Sequence, residues 1–270
     1  MAVDGSFTAL NALVDAFFLG ISVYVYVALS RQISARSANA PPAVTRGFTW
    51  GDAVLAIVLA SWFVLNITAA GAQQTLTMRP RDLIANALFS IGLILFVALF
   101  LRFRGIDVKS LAGFAKLGLR RAVTTGAVLL LAAYPLIIMA DALTQRAIGR
   151  NSEHQGIVEL FNTSRNLEQR VLIIILAVAI APIAEEFLFR FFLYGVLKRY
   201  FGRVLAVVTN ALLFAAVHSH LPSLAPLFVL GTCFTIAFEW SGSILVSMTM
   251  HALFNALTLV SLAFPEFSQQ

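Results

Sequence analysis

Residues 171–197 read VLIIILAVAIAPIAEEFLFRFFLYGVL. The stretch is apolar and long enough to cross a bilayer, which takes about 20 largely apolar residues. Yet it holds three charged side chains, Glu185, Glu186 and Arg190. A charge at bilayer depth costs a few kcal/mol, roughly, so three in one span call for a functional explanation by default. Read as a helix, the segment puts Glu186 and Arg190 four residues apart on one face, where they can pair. Arg stays charged and can grip a carboxylate with two donors. Glu185 is rotated by about 100° from Glu186 and need not join that pair. Facing a water-filled cavity, it could take a proton from water. Pro182, one turn earlier, frees a backbone carbonyl and is expected to kink the helix there. A buried ion pair that only holds two helices together would explain Glu186 and Arg190, but it would leave Glu185 without a partner.

The whole chain agrees with a membrane setting. Of its 270 residues, 60% are hydrophobic and 12% charged, against roughly 25% charged in a soluble domain. Mean hydropathy is +0.88. The net charge of +6 could suggest nucleic acid. The basic residues, however, fall in short loops between apolar runs, as topology signals do, so no nucleic-acid partner is expected. Cys233 is the only cysteine and lies in an apolar run. It reads as a packed thiol rather than a nucleophile. The first apolar run lacks a basic leader and reads as a retained span.

Eight stretches qualify as spans, at about 7–30, 52–71, 83–101, 122–143, 171–197, 203–218, 223–239 and 242–263. The fold class expected is all-α, a polytopic bundle of about eight helices around a polar cavity. The sixth and seventh stretches are short enough to end below the membrane surface, and non-helical backbone there must line a cavity. The polar segment from Thr144 to Arg170 divides the chain into four spans with their loop (1–165) and four more (166–270). That segment could be a linker, or could hold an interfacial helix with Ile157, Val158, Leu160 and Phe161 on one side.

Sidedness follows from Lys and Arg in the loops. The odd connections hold Arg31, Arg36 and Arg46, then Arg102, Arg104, Lys109, Lys116, Arg120 and Arg121, then Lys198, Arg199 and Arg203. The even ones hold Arg79, Arg81, Arg146, Arg150, Arg165 and Arg170. The odd connections are therefore placed in the cytoplasm and both termini outside, although four of these arginines in one even connection oppose it.

Two further pairs have helical spacing. Phe214 and His218 lie four apart near the end of the sixth span. His251 and Asn255 lie four apart inside the eighth. A lone intramembrane histidine is often a packing residue. Two of them in the half that holds the carboxylates point to chemistry. His220 reads as an interfacial or loop residue beside Leu221 and Pro222. Glu186, His218 and His251 are candidate ligands for zinc from three helices, although no His-Glu-x-x-His helix is present. Without a metal, Glu185 would activate water. A histidine would donate to the oxyanion, and Asn255 would add a second donor or fix the histidine tautomer. Ser219, Ser241, Ser243 and Ser247 sit in no nucleophile elbow. The sidedness sets Glu185 near mid-membrane and His218 at the outer end of its span, yet the chemistry requires them to meet.

Three patterns in order, Glu185-Glu186-x-x-x-Arg190, Phe214-x-x-x-His218 and His251-x-x-x-Asn255, resemble the CPBP family of intramembrane proteases. That family includes type II CAAX prenyl endopeptidases of the Ras-converting-enzyme kind and bacteriocin-processing enzymes. Ser241-Gly242-Ser243 and the final span add to the likeness, which covers about residues 168–262. The resemblance implies eight helices around a conical cavity. It also implies Glu185 as general base, with Glu186 supporting it and Arg190 as the counter-charge of Glu186. His218 and His251 would bind the catalytic water, the oxyanion or a metal, and Asn255 would polarise the substrate carbonyl. Both a metallo-mechanism and a metal-free glutamate mechanism fit that family. The expected partners are the lipid bilayer and a peptide or lipidated protein substrate. The expected location is the plasma membrane of a bacterium or archaeon. Two rival readings are a non-proteolytic immunity or scaffold protein of the same fold, and a proton-coupled transporter. The second needs polar residues in the first half, where Asp15, Asn66 and Asp141 read instead as helix-end or helix–helix contacts.

Overall fold

The computed structural model describes residues 2–39, 47–72, 80–149, 160–162, 164 and 166–264. It is an all-helical bundle, and the chain is an integral membrane protein. The helices are α1 (Ala2–Asn39), α2 (Trp50–Ala72), α3 (Pro80–Phe103), the short α4 (Val108–Leu111) and α5 (Leu119–Ile148). A continuous helical run, Leu167–Ala216, follows. We label its arms α6 (167–201) and α7 (203–216). A 3₁₀ turn at Leu221–Ser223 leads to α8 (Leu224–Ser241) and α9 (Ile244–Ala263).

Seven runs among the described residues are long and apolar enough to cross a membrane. Eight spans were expected. The difference lies at Gly202, where the fifth and sixth spans run into each other with a single non-helical residue between them, at φ 74° and ψ 173°. Only glycine takes that conformation readily. The corner folds α7 back along α6. Phe189 and Phe214, 13 residues before and 12 after Gly202, meet edge to face with centroids 5.5 Å apart. Glu185 and His218, 17 before and 16 after, are thereby brought to the same level. The apparent conflict of depth in the sequence is resolved by this hairpin, because α7 is too short to reach the far surface.

The buried centre is the second half of α6. Every residue from Phe187 to Leu193 is buried. One apolar cluster joins this segment to Tyr26, Ala53, Val97 and Leu129 from the first half and to Leu230, Phe234, Val246 and Met250 from α8 and α9. The core thus draws on both sides of the 165/166 division. Phe63 of α2 stacks on Phe189 at 5.4 Å. The Tyr26 hydroxyl of α1 donates to Leu129 O at 2.7 Å. Cys233 is buried, as a packed thiol would be. Large apolar side chains such as Phe17, Leu65, Leu95 and Leu131 are exposed, on faces that lipid covers in a membrane.

The α6 helix departs from α geometry twice, over Leu176–Ile180 and Phe187–Leu193, where it widens to π form. The expected kink at Pro182 takes this shape instead of a break. In the first stretch the Ala181 N–H bonds Leu176 O, five residues back. In that register the next carbonyl, Ala177 O, would need the N–H of residue 182. Proline has none.

Charge separates the two ends of the bundle. The Gly202 end collects Arg31, Arg36, Arg102, Arg104, Lys109, Lys116, Arg120, Arg121, Lys198, Arg199 and Arg203. There Lys198 and Arg203 engage Glu239, and Arg36 Nη1 donates to Trp240 O at 2.8 Å. Arg104 lies 2.9 Å from the buried carboxylate of Asp52, a pair that the sequence did not suggest. Of the proposed interfacial helix, residues 160–162 are helical and Phe161 is buried with Leu83, Ile173 and Leu259. Ile157, Val158 and His154 lie outside the described residues.

Candidate active site

A cavity of about 550 Å³ opens between α5, α6, α7, α8 and α9. Glu185, His218, His251 and Asn255 all line it. Glu186 and Arg190 do not; both side chains are fully buried behind it. Helical geometry explains the split, since neighbours in sequence point about 100° apart. The Glu185 side chain keeps 29% exposure.

The buried pair forms a scaffold for the rest. Arg190 Nη1 lies 3.2 Å from Glu186 Oε1. Its guanidinium sits over the Phe214 ring at 4.1 Å and near Phe234 at 5.2 Å, as cation–π contacts. Gly231 on α8 makes the space, because a Cβ there would come within 2.9 Å of Phe214. His251 Nδ1 is 3.0 Å from the same Glu186 oxygen. Arg190 stays protonated, so Glu186 accepts and His251 donates through Nδ1–H. The other ring nitrogen, Nε2, lies 3.9 Å from Glu185 Oε2. The imidazole of His251 is further held between Phe234 at 5.1 Å and Phe214 at 5.8 Å.

His218 closes α7. Its Nδ1 lies 2.8 Å from Phe214 O, and since a carbonyl only accepts, the nitrogen donates. Its Nε2 is then the free polar atom, as in His251. Asn255 Nδ2 donates to Ala177 O at 2.8 Å. This is the carbonyl that Pro182 leaves without a partner in the π register. The residue is therefore anchored by α6, and does not fix the tautomer of His251; Glu186 has that place.

The three-helix metal set of Glu186, His218 and His251 does not assemble. Among the described residues no group of three His, Cys, Asp or Glu could hold a metal ion. The Glu186 oxygen nearest His251 already accepts from that ring and is ion-paired with Arg190.

His220 lies in the connection between α7 and α8, as expected of an interfacial or loop residue, and also lines the cavity, with Nδ1 2.7 Å from Ser223 Oγ. Asp141, expected as a plain helix contact, lines it from α5. No periodicity marks either, because the wall is built by a turn and by a helix distant in sequence. Asp15 is exposed, and Asn66, also exposed, turns its amide back to Trp62 O at 2.8 Å. Neither is a lining residue of this cavity. Ser247 Oγ is buried, donates to Ile244 O at 3.1 Å and is not part of the cavity lining.

Residues 167–257 match a family model described as Rce1-like, type II CAAX prenyl endopeptidase Rce1-like. The match spans about a third of the chain and contains all of Glu185, Glu186, Arg190, His218, His251 and Asn255. No curated protein and no solved structure matches the chain.

Proposed function

We propose that the chain is an intramembrane endopeptidase that hydrolyses a peptide bond in a membrane-associated substrate, with water activated by Glu185. The observation that carries this reading is the 3.9 Å approach of Glu185 Oε2 to His251 Nε2 at the wall of a cavity large enough for a peptide segment. A water about 2.8 Å from both atoms would give one hydrogen to each and turn its lone pair to the substrate.

The steps follow from the hydrogen-bond partners. Glu185 takes a proton as the water oxygen bonds to the scissile carbonyl carbon. Asn255 spends one Nδ2 hydrogen on Ala177 O and has a second to offer the developing oxyanion. This differs from the expected histidine donor, because the Nδ1–H of each imidazole is already engaged. A neutral His218 offers an acceptor, suited to the N–H of the scissile amide. When the C–N bond breaks, Glu185 returns its proton to the leaving nitrogen. Glu186 and Arg190 touch no substrate in this scheme and act by holding His251. The likeness to prenyl endopeptidases makes a prenylated CAAX-type substrate one candidate.

The test is cleavage of peptides by the purified full chain, wild type beside Glu185→Ala and His218→Ala. Loss of activity in both variants is expected. Equal cleavage by all three proteins would sink the reading.

A further inference from the structure

Among the described residues that line the cavity, the only Asp, Glu, Lys or Arg side chains are two carboxylates. Besides Glu185 its wall holds a second carboxylate, Asp141, with the hydroxyls of Tyr134 and Thr258. No Lys or Arg lines it among the described residues. Arg190, five residues from Glu185, is fully buried and held by Glu186 and the ring of Phe214; Arg146, five residues beyond Asp141 on α5, is exposed and is not a lining residue.

Asp141 lies one turn along α5 from Ile137 and Ile138, which line the same wall. Its Oδ2 accepts from Gln145 Nε2 at 2.6 Å. It takes part in no ion pair among the described residues. His251, only 3% exposed, turns its Nε2 into the same space. The acid is thus part of a cavity that already presents reactive groups.

A free C-terminal tripeptide would bring its carboxylate to within about 10 Å of the scissile bond, at roughly 3.3–3.6 Å per residue. Asp141 and Glu185 would repel that charge, and no Lys or Arg among the described lining residues would receive it. In a cavity of low dielectric such repulsion is far stronger than in water. A lysine or arginine on the substrate would be attracted instead.

Resting on the hydrolase reading above, we propose that Asp141 is a specificity-determining residue. It selects a peptide with Lys or Arg close to the scissile bond and disfavours release of a free C-terminal tripeptide. The substrate class is then a basic segment of a membrane-associated chain, cut internally.

Internally quenched peptides test this with the purified full chain. One set places Lys, Gln or Glu at each position within four residues of the cut. A second set ends three residues after the cut in a free acid or an amide. For the wild type, kcat/KM for Lys should exceed that for Glu at one or two positions by at least about tenfold, and the amide should exceed the acid. Asp141→Asn should bring the Lys/Glu ratio to within about twofold of one, and Asp141→Lys should reverse it. Asp141→Ser, checked with the others by thermal melting, guards against a variant that fails to fold. Cleavage without charge preference, or a preference that persists in Asp141→Asn, overturns the proposal and leaves the hydrolase reading standing. No cleavage of any peptide removes both.

Discussion

His251 and Glu186 are joined by a 3.0 Å hydrogen bond that commits Nδ1 of the ring and leaves Nε2 for the cavity. The bond is possible because Arg190, 3.2 Å from the same oxygen, keeps Glu186 an acceptor. One motif therefore sets the tautomer of another on a different helix, and does so away from solvent.

Glu185→Gln keeps the shape of the side chain and removes its basicity. Peptide hydrolysis should fall by about 10²–10⁴-fold, while the melting temperature in detergent stays close to that of the wild type. A variant that keeps more than a tenth of the wild-type rate would rule out Glu185 as the base.

Glu186→Gln should act on stability first. It leaves the Arg190 guanidinium buried without its counter-charge, a loss of about 3–5 kcal/mol. Glu186→Gln combined with Arg190→Met should recover much of the stability and none of the hydrolysis. Melting curves beside rates for the wild type, the two single variants Glu186→Gln and Arg190→Met, and the double variant separate the two effects.

Gly231→Ala places a methyl group 2.9 Å from Phe214 and 3.4 Å from Arg190 Nη2. Overpacking of this kind costs about 1–3 kcal/mol. The expected result is a lower melting temperature, with a rate loss that the smaller Phe214→Leu partly reverses in the double variant. No recovery would mean that the contact is not the cause.

Pro182 and Asn255 should be coupled. Pro182→Ala supplies an N–H that can occupy Ala177 O and displace the Asn255 amide. Asn255→Ala should lower kcat by about two to three orders of magnitude, what losing one oxyanion donor costs. The double variant should be little worse than Asn255→Ala alone. Additive losses in the cycle would show that the carbonyl does not link them.

The charge asymmetry predicts which end faces the cytoplasm. Cys233 is buried, so single cysteines can be read against a quiet background. Ser110→Cys at the basic end should resist a membrane-impermeant maleimide added to intact cells, and Ser261→Cys at the other end should react. The opposite pattern would reverse the orientation.

Much of the site was visible in the sequence because i, i+4 spacing survives any packing of helices. Glu186 with Arg190, and the cavity positions of Glu185, His218, His251 and Asn255, needed only helices and a shared centre. The partners of the histidines were not visible. Which nitrogen of His251 is engaged depends on the roll of α9 against α6, and no pattern within one helix encodes that. The π stretches escaped for a similar reason: Pro182 announces a free carbonyl but not the register that decides which one. His220 and Asp141 sit where chain neighbours say little and the tertiary fold says everything. The expected spans differ from the helices chiefly at Gly202, where one non-helical residue replaces the loop between the fifth and sixth.

That corner makes sequence length into a ruler. Glu185 and His218 reach one level because nearly equal numbers of residues separate each from Gly202. Adding one residue to either arm would swing everything beyond it by about 100° and lift it by about 1.5 Å, turning the imidazole or the carboxylate out of register. Length variation should therefore be tolerated poorly between positions 185 and 218 and much better in the segment that joins α5 to α6.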